Sequence, residues 1–243
     1  MKYIISEQQY NLLLKEDKEQ KILELPGLDY FGSWDILQKF LEKRGNPLFS
    51  IDGNLDLEGT DVKSLDNLVS VEGNLDLFNT NIESLDNLVS VGGNLDLHKT
   101  PIKSLGNLVS VEGFLDLYGS EIESLDNLVS VGGYLGLVGT KIKSLDNLES
   151  IGGYLNLRET KIESLGNLQS VGGNLNLRKT PIKDLGNLVS VGGYLDLAWT
   201  PIEYLGNLKE VGGDLYLKET PISKMYSEKE IGEMVDVAGN IFR

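Results

Sequence analysis

His98 is the one imidazole in the chain and cysteine is absent. Thiol nucleophiles, thiolate zinc sites, disulfides and most histidine-based metal or triad chemistry are therefore excluded. His98 itself reads as an exposed bystander in a column of varied residues. Carboxylates are abundant, but they recur along the whole chain, so a pair of them singles out no acid–base site. The glycine pairs, such as Gly92-Gly93, sit inside strand patterns and are followed by no phosphate-loop Lys-Ser or Lys-Thr. The recurring Ser-Leu-x-Asn-Leu is too regular to mark a nucleophile. The reading is of a protein that is not an enzyme, with no cofactor and no bound metal.

One file of acids is regular enough to form a stripe. Asp56, Asp76, Asp96 and Asp116 recur every 20 residues. Stacked at strand spacing they repel by about 0.9 kcal/mol per neighbour even in water. They form either an acidic stripe for a cation or a basic partner, or a duplicated unit carrying its Asp along. A calcium ion wants about six to eight oxygens in a cage, which one flat file does not supply.

The residues that could do recognition lie where the copies differ. The position after the second leucine of the unit runs Glu58, Phe78, His98, Tyr118, Val138, Arg158, Arg178, Ala198, Lys218. Its neighbour includes Trp199, and the position before the first leucine runs Asn54, Asn74, Asn94, Phe114, Tyr134, Tyr154, Asn174, Tyr194. Strand alternation turns these positions outward. Phe114, Tyr118, Tyr134 and Tyr154 are then expected to cluster in mid-sheet, with Arg158 and Arg178 to one side and acids to the other. With Phe78, Tyr194 and Trp199 they make up the candidate partner-binding set. Exposed rings beside arginine are the composition of an interface hot spot. Drift with ordinary cross-strand aromatic pairing is the other explanation.

The element that must position these side chains is a repeat. Glycine recurs at 53, 73, 93, 113, 133, 153, 173, 193 and 213 with no insertion, the signature of a solenoid. Within the unit, Val71-x-Gly73-x-Leu75-x-Leu77 has period two, a strand with one buried face. Gly73 falls on that face, where a missing side chain lets neighbouring backbone approach. Thr80, Ile82, Leu85, Leu88 and Val91 bring the chain around. Twenty residues cannot bury so many apolar groups alone, but stacked copies can. The expected fold is mainly β, a right-handed solenoid with one long parallel sheet.

The run Leu-x-Leu-x-x-Thr-x-Ile-x-Ser-Leu-x-Asn-Leu resembles a short leucine-rich repeat. The preceding Val-Gly-Gly-x-Leu-x-Leu is closer to the β-helical L domains of cell-surface receptors, and the chain also resembles uncharacterised repeat proteins of phage and environmental origin. The resemblance implies a leucine-rich-repeat protein-binding module. The departure is the file Thr60 to Thr220, where such repeats carry Asn. Its hydroxyls are expected to point inward and bond the next coil. Asn67 to Asn207 are expected to form a second polar ladder on the far turn. In the file Lys63, Glu83, Lys103, Glu123, Lys143, Glu163, Lys183, Glu203 the charges alternate, which favours one register over a slip by one coil.

Residues 1–47 read as a helical N-terminal cap: one helix capped by Ser6, and a second starting at Ser33 and carrying Trp34, Ile36, Leu37, Phe40 and Leu41. Residues 48–243 read as the solenoid, about nine units and a truncated terminal strand. That strand is expected to place Val235-Asp236-Val237 as a further Leu-x-Leu, with Asn240 in the Thr file.

Thirty-seven acids against 22 bases give a net charge of −15, which argues against binding a phosphate backbone. No signal-peptide pattern and no apolar run near the ~18 residues of a membrane span is visible, so a cytoplasmic location without a membrane span is expected. The expected partner is another protein, a basic one by charge, and not nucleic acid. The alternative is a structural or surface-binding solenoid, with a glycan carried on stacked Tyr or ice bound through the Thr file.

Overall fold

The computed structural model describes residues 22–243. Each unit forms one coil that contributes two short parallel strands. The first ladder has 11 strands, from Leu23–Pro26, Phe49–Asp52 and Leu68–Val71 to Glu210–Val211 and Asp236–Val237. The second has 10, from Leu55–Asp56 to Ile241–Phe242. Register is kept coil to coil: Val131 faces Val111 and Ile151, and Leu135 faces Leu115 and Leu155.

The fold is thus a mainly β solenoid, but the expected single sheet is divided. The period-two pattern runs unbroken through the glycine pair, whereas the backbone bends there. A Cβ on Gly153 would lie 2.7 Å from the Gly133 carbonyl carbon and 3.0 Å from the Tyr134 nitrogen. Glycine is needed because successive coils touch backbone to backbone at this corner.

The interior is a continuous stack of branched side chains. In one coil Leu75, Leu77, Ile82, Leu85, Leu88 and Val91 are each at most 1% exposed. Full burial of such a side chain stabilises by about 1.5–3 kcal/mol, and here the covering atoms come from the coils on either side.

Three polar files hold the corners. Thr80 Oγ1 donates to the Leu77 carbonyl at 2.7 Å, and Thr100, Thr180 and Thr200 repeat the bond. The hydroxyls are buried as expected, but they bond within their own coil, because the turn brings the carbonyl three residues back into reach. On the far turn, Asn87, Asn107 and Asn127 donate Nδ2 to carbonyls 21 residues earlier. Beside them Asp126 Oδ2 accepts from Ser104 Oγ and the Leu105 and Gly106 amides at 2.7–2.9 Å. Burial raises the Asp126 pKa, but these donors together with Ser124 outweigh it and hold the group below its ordinary value.

The alternating Lys63-to-Glu203 file forms no ion pair among the described residues. Coil-to-coil pairs that do form include Lys141–Glu121 at 3.8 Å and Lys179–Glu159 at 3.0 Å, all exposed and each worth little.

The ends differ from expectation in register. Strand Leu23–Pro26 pairs with Phe49–Asp52, so the ladder begins inside the segment read as a helical cap. The helix Trp34–Glu42 follows, with Ser33 accepting from the Ile36 amide and Leu37 and Leu41 buried. The helix expected from Ser6 lies outside the described residues. At the other end, Ser227 and Glu230 form a capping box on a helix Glu228–Met234. That insertion delays the last strands: Val237 faces Val211 and Ile241 faces Leu215. Val235-Asp236-Val237 is therefore not a Leu-x-Leu strand, and Asn240 stands in the column of Asp214, whose Oδ1 accepts from its amide at 2.8 Å. The local apolar pattern fits a register that the helix displaces. Among the described residues, no helix is long and apolar enough to cross a membrane.

Candidate binding face of the second ladder

The outward face of the second ladder is built from two files that are structural in most coils. Asp56, Asp76, Asp96, Asp116 and Asp196 each turn Oδ1 back to accept the amide two residues on, at 2.9–3.0 Å, and Asn156 and Asn176 do the same at 3.1 Å. The Asp file thus closes the turn after each strand, a local role that composition alone does not reveal. In the file before the first leucine, Asn54, Asn74, Asn94 and Asn174 accept the amide of the next coil at 2.8–3.0 Å.

Both files break in the middle, and again towards the C-terminal end, where Tyr194 and Tyr216 stand in them. In the middle, Phe114, Tyr134 and Tyr154 replace the Asn and offer no acceptor. The amides of Tyr134, Tyr154 and Asn174 accordingly make no hydrogen bond among the described residues. Gly136 replaces the Asx residue, and the Val138 amide loses its turn acceptor. A hollow of about 340 Å³ opens at this point, lined by His98, Asp116, Tyr118, Tyr134, Tyr154 and Asn156, with Leu135, Gly136 and Val138 completing it.

The rings are held in set directions. Tyr134 stacks on Phe114 with centroids 4.9 Å apart, and its hydroxyl donates to Asp116 Oδ2 at 3.0 Å. A Cβ on Gly136 would lie 3.3 Å from the Tyr134 ring and 2.8 Å from Asp116 Oδ1, so the small residue makes room for that lean. Burial, then the Asp116 hydrogen bond and charge, push the Tyr134 phenol up to about 12. Tyr154 is raised by burial first and then by Tyr194. His98 lies edge-on between Phe78 and Tyr118, with centroids 5.2 and 4.9 Å away. It is half-buried, not an exposed bystander, because both neighbours in its column are aromatic. Burial raises the Asp96 carboxyl, against the lowering by the His98 amide, and Asp76 and Asp116 add to the rise.

The candidate residues thus fall into groups. Tyr118, Tyr134 and Tyr154 line one hollow; Phe114 and Phe78 stand behind it as ring supports. Arg158 turns away to Glu159 at 3.2 Å. Arg178 lies 3.9 Å over the Trp199 ring and 3.8 Å from Asp196. Tyr194 continues towards the C-terminal end through Tyr216 and Phe242, the latter two stacked at 4.9 Å. Trp199 takes a left-handed backbone (φ 59°), an uncommon conformation for a bulky residue.

Sequence reasoning missed Gly136 and Asn156 as lining groups, and placed Asp116 in the acidic file without joining it to the rings. The signal was present: Gly136 is the break in an otherwise Asp-or-Asn run from Asp56 to Asp196. As for metals, Asp56, Glu58 and Asp76 bring one oxygen each within 4.8 Å of one another. Three such groups at an exposed edge fall short of the about six oxygens a calcium site needs.

The chain matches no protein-family model, no curated protein and no solved structure. The fold defines a repeat solenoid of 20-residue coils with leucine-rich strands.

Proposed function

We propose that the chain is a non-enzymatic, leucine-rich-repeat-like binding module that recognises another protein through the outward face of the second ladder. One observation carries this reading: around Gly136 the amides of Tyr134, Tyr154 and Val138 all lack their repeating acceptors, and a ring-walled hollow opens among them. Departures from a local rule without structural compensation mark functional positions. Tyr118 and Tyr134 are 47% and 36% exposed, open enough for a partner to touch. A glycan could use the same rings, and capture that survives removal of glycans would argue for protein. The ice reading loses support, since Thr80, Thr100, Thr180 and Thr200 are at most 3% exposed.

The test is affinity capture from a lysate with wild-type protein and with Tyr134→Ala combined with Tyr154→Ala. The reading expects a specific partner with the wild type and its loss with the double variant, which should keep a cooperative melt at a midpoint lowered by loss of the Phe114 stack and the Asp116 bond. Equal capture by both would overturn it.

A further inference from the structure

We propose that the hollow over Gly136 receives a cationic side chain, lysine or arginine, from a basic segment of the partner; this rests on the reading of the face as a protein-binding surface. Shape and charge act together at this hollow. The hydroxyl of Tyr134 is drawn back to Asp116, and among the described residues Tyr134 and Tyr154 make no ring contact with each other. Their separation leaves the slot, with Gly136 between them. Ring faces attract cations through their quadrupole.

The charge around the slot is one-sided. Asp76, Asp96 and Asp116 stand in successive coils leading to it, and among the described residues no Lys or Arg lines it. The nearby cations are engaged elsewhere. Arg158 and Lys179 hold Glu159, Arg178 covers Trp199, and Lys99 lies 5.6 Å over Phe78. The chain as a whole carries −15, so a basic segment is also drawn in at long range. An apolar side chain would fill the slot but leave the Asp116 charge, held by the neutral Tyr118 amide and Tyr134 hydroxyl, without a counter-charge, and an anion would be repelled.

The test uses Gly-Ser-Xaa-Ser-Gly peptide amides with Xaa arginine, lysine or citrulline, the last a neutral match for arginine. Binding is read from the ring signals of Tyr118, Tyr134 and Tyr154 in NMR titrations of the whole chain at constant ionic strength. The arginine or lysine peptide should give saturable shifts in all three rings. The citrulline peptide should bind at least about fivefold more weakly, given the strength of such contacts. Asp116→Asn, which keeps the shape, should weaken the cationic peptides, and Gly136→Val, which fills the slot, should abolish their shifts. Shifts of equal size with citrulline, or no saturation with either cation, would overturn the proposal. If the cationic peptides fail while the Tyr134→Ala, Tyr154→Ala protein still loses its captured partner, the face binds protein by another contact. If both fail, both readings fall.

Discussion

The carboxylate of Asp86 lies in the turn of the coil before it, with Oδ2 2.9 Å from the Leu65 amide nitrogen and 2.8 Å from Ser64 Oγ. Asp126 repeats the arrangement on Leu105. At Gly106 the carboxylate is missing, and the Leu85 amide makes no hydrogen bond among the described residues.

Gly106→Asp should therefore stabilise the stack. Gly106 has φ +59°, close to the φ 51° of Asp86 and Asp126, and a Cβ there meets only the Asp86 carbonyl oxygen at 4.0 Å. A hydrogen bond from the Leu85 amide to a charged acceptor is worth about 1.5–3 kcal/mol, against about 1 kcal/mol for a side chain on left-handed backbone. Urea unfolding should show a higher midpoint with an unchanged slope; an unchanged or lower midpoint would show that the turn does not take the carboxylate.

Tyrosine ionisation reports the Tyr134–Asp116 bond. Followed by ultraviolet absorbance, the Tyr134 phenol should ionise near 12 rather than the ordinary 10.0, and Asp116→Ala should bring it down. The sign for stability follows from the raised value: the native state keeps the proton longer, so the contribution is full below pH 10 and is lost as pH rises through about 12. A set of tyrosines ionising together near 10 would contradict the geometry.

Two glycine substitutions should behave differently. Gly153→Ala puts a methyl group into the backbone of the neighbouring coil and should cost about 1–3 kcal/mol or more. Gly119→Ala meets nothing nearer than Lys99 Cγ at 3.9 Å and carries only the left-handed backbone penalty, about 1 kcal/mol. Thermal melts that rank them the other way would refute close coil contact at the bend.

The solenoid was legible in the sequence because a strict period leaves few alternatives: Gly73, Leu75 and Leu77 recur where one buried face demands them. The division into two ladders was not, since the glycine pair keeps the period-two pattern while bending the backbone. The shift at Ile241 was hidden by Ile231, which mimics the strand pattern yet belongs to a helix capped by Ser227. The outward positions of Tyr118, Tyr134 and Tyr154 could be read from alternation. The hollow could not, because it depends on a missing side chain at Gly136 and on which way two rings lean.

The Thr file predicts a structural outcome. Thr180→Val removes the donor to the Leu177 carbonyl, which keeps its bond from the Thr180 amide, so the loss should be small, about 0.5–1 kcal/mol. The wild-type chain should show no thermal hysteresis, and measurable ice shaping would return the surface-binding alternative to first place.

Hydroxyl-radical footprinting of the complex captured by the wild-type chain puts the recognition face to its most direct trial. Tyr118, Tyr134 and Tyr154 should be protected from oxidation when the partner is bound, while Tyr204, 58% exposed in the turn beyond the second ladder, should label as in the isolated chain. Unprotected tyrosines around Gly136, with protection found instead at Tyr204, would contradict it.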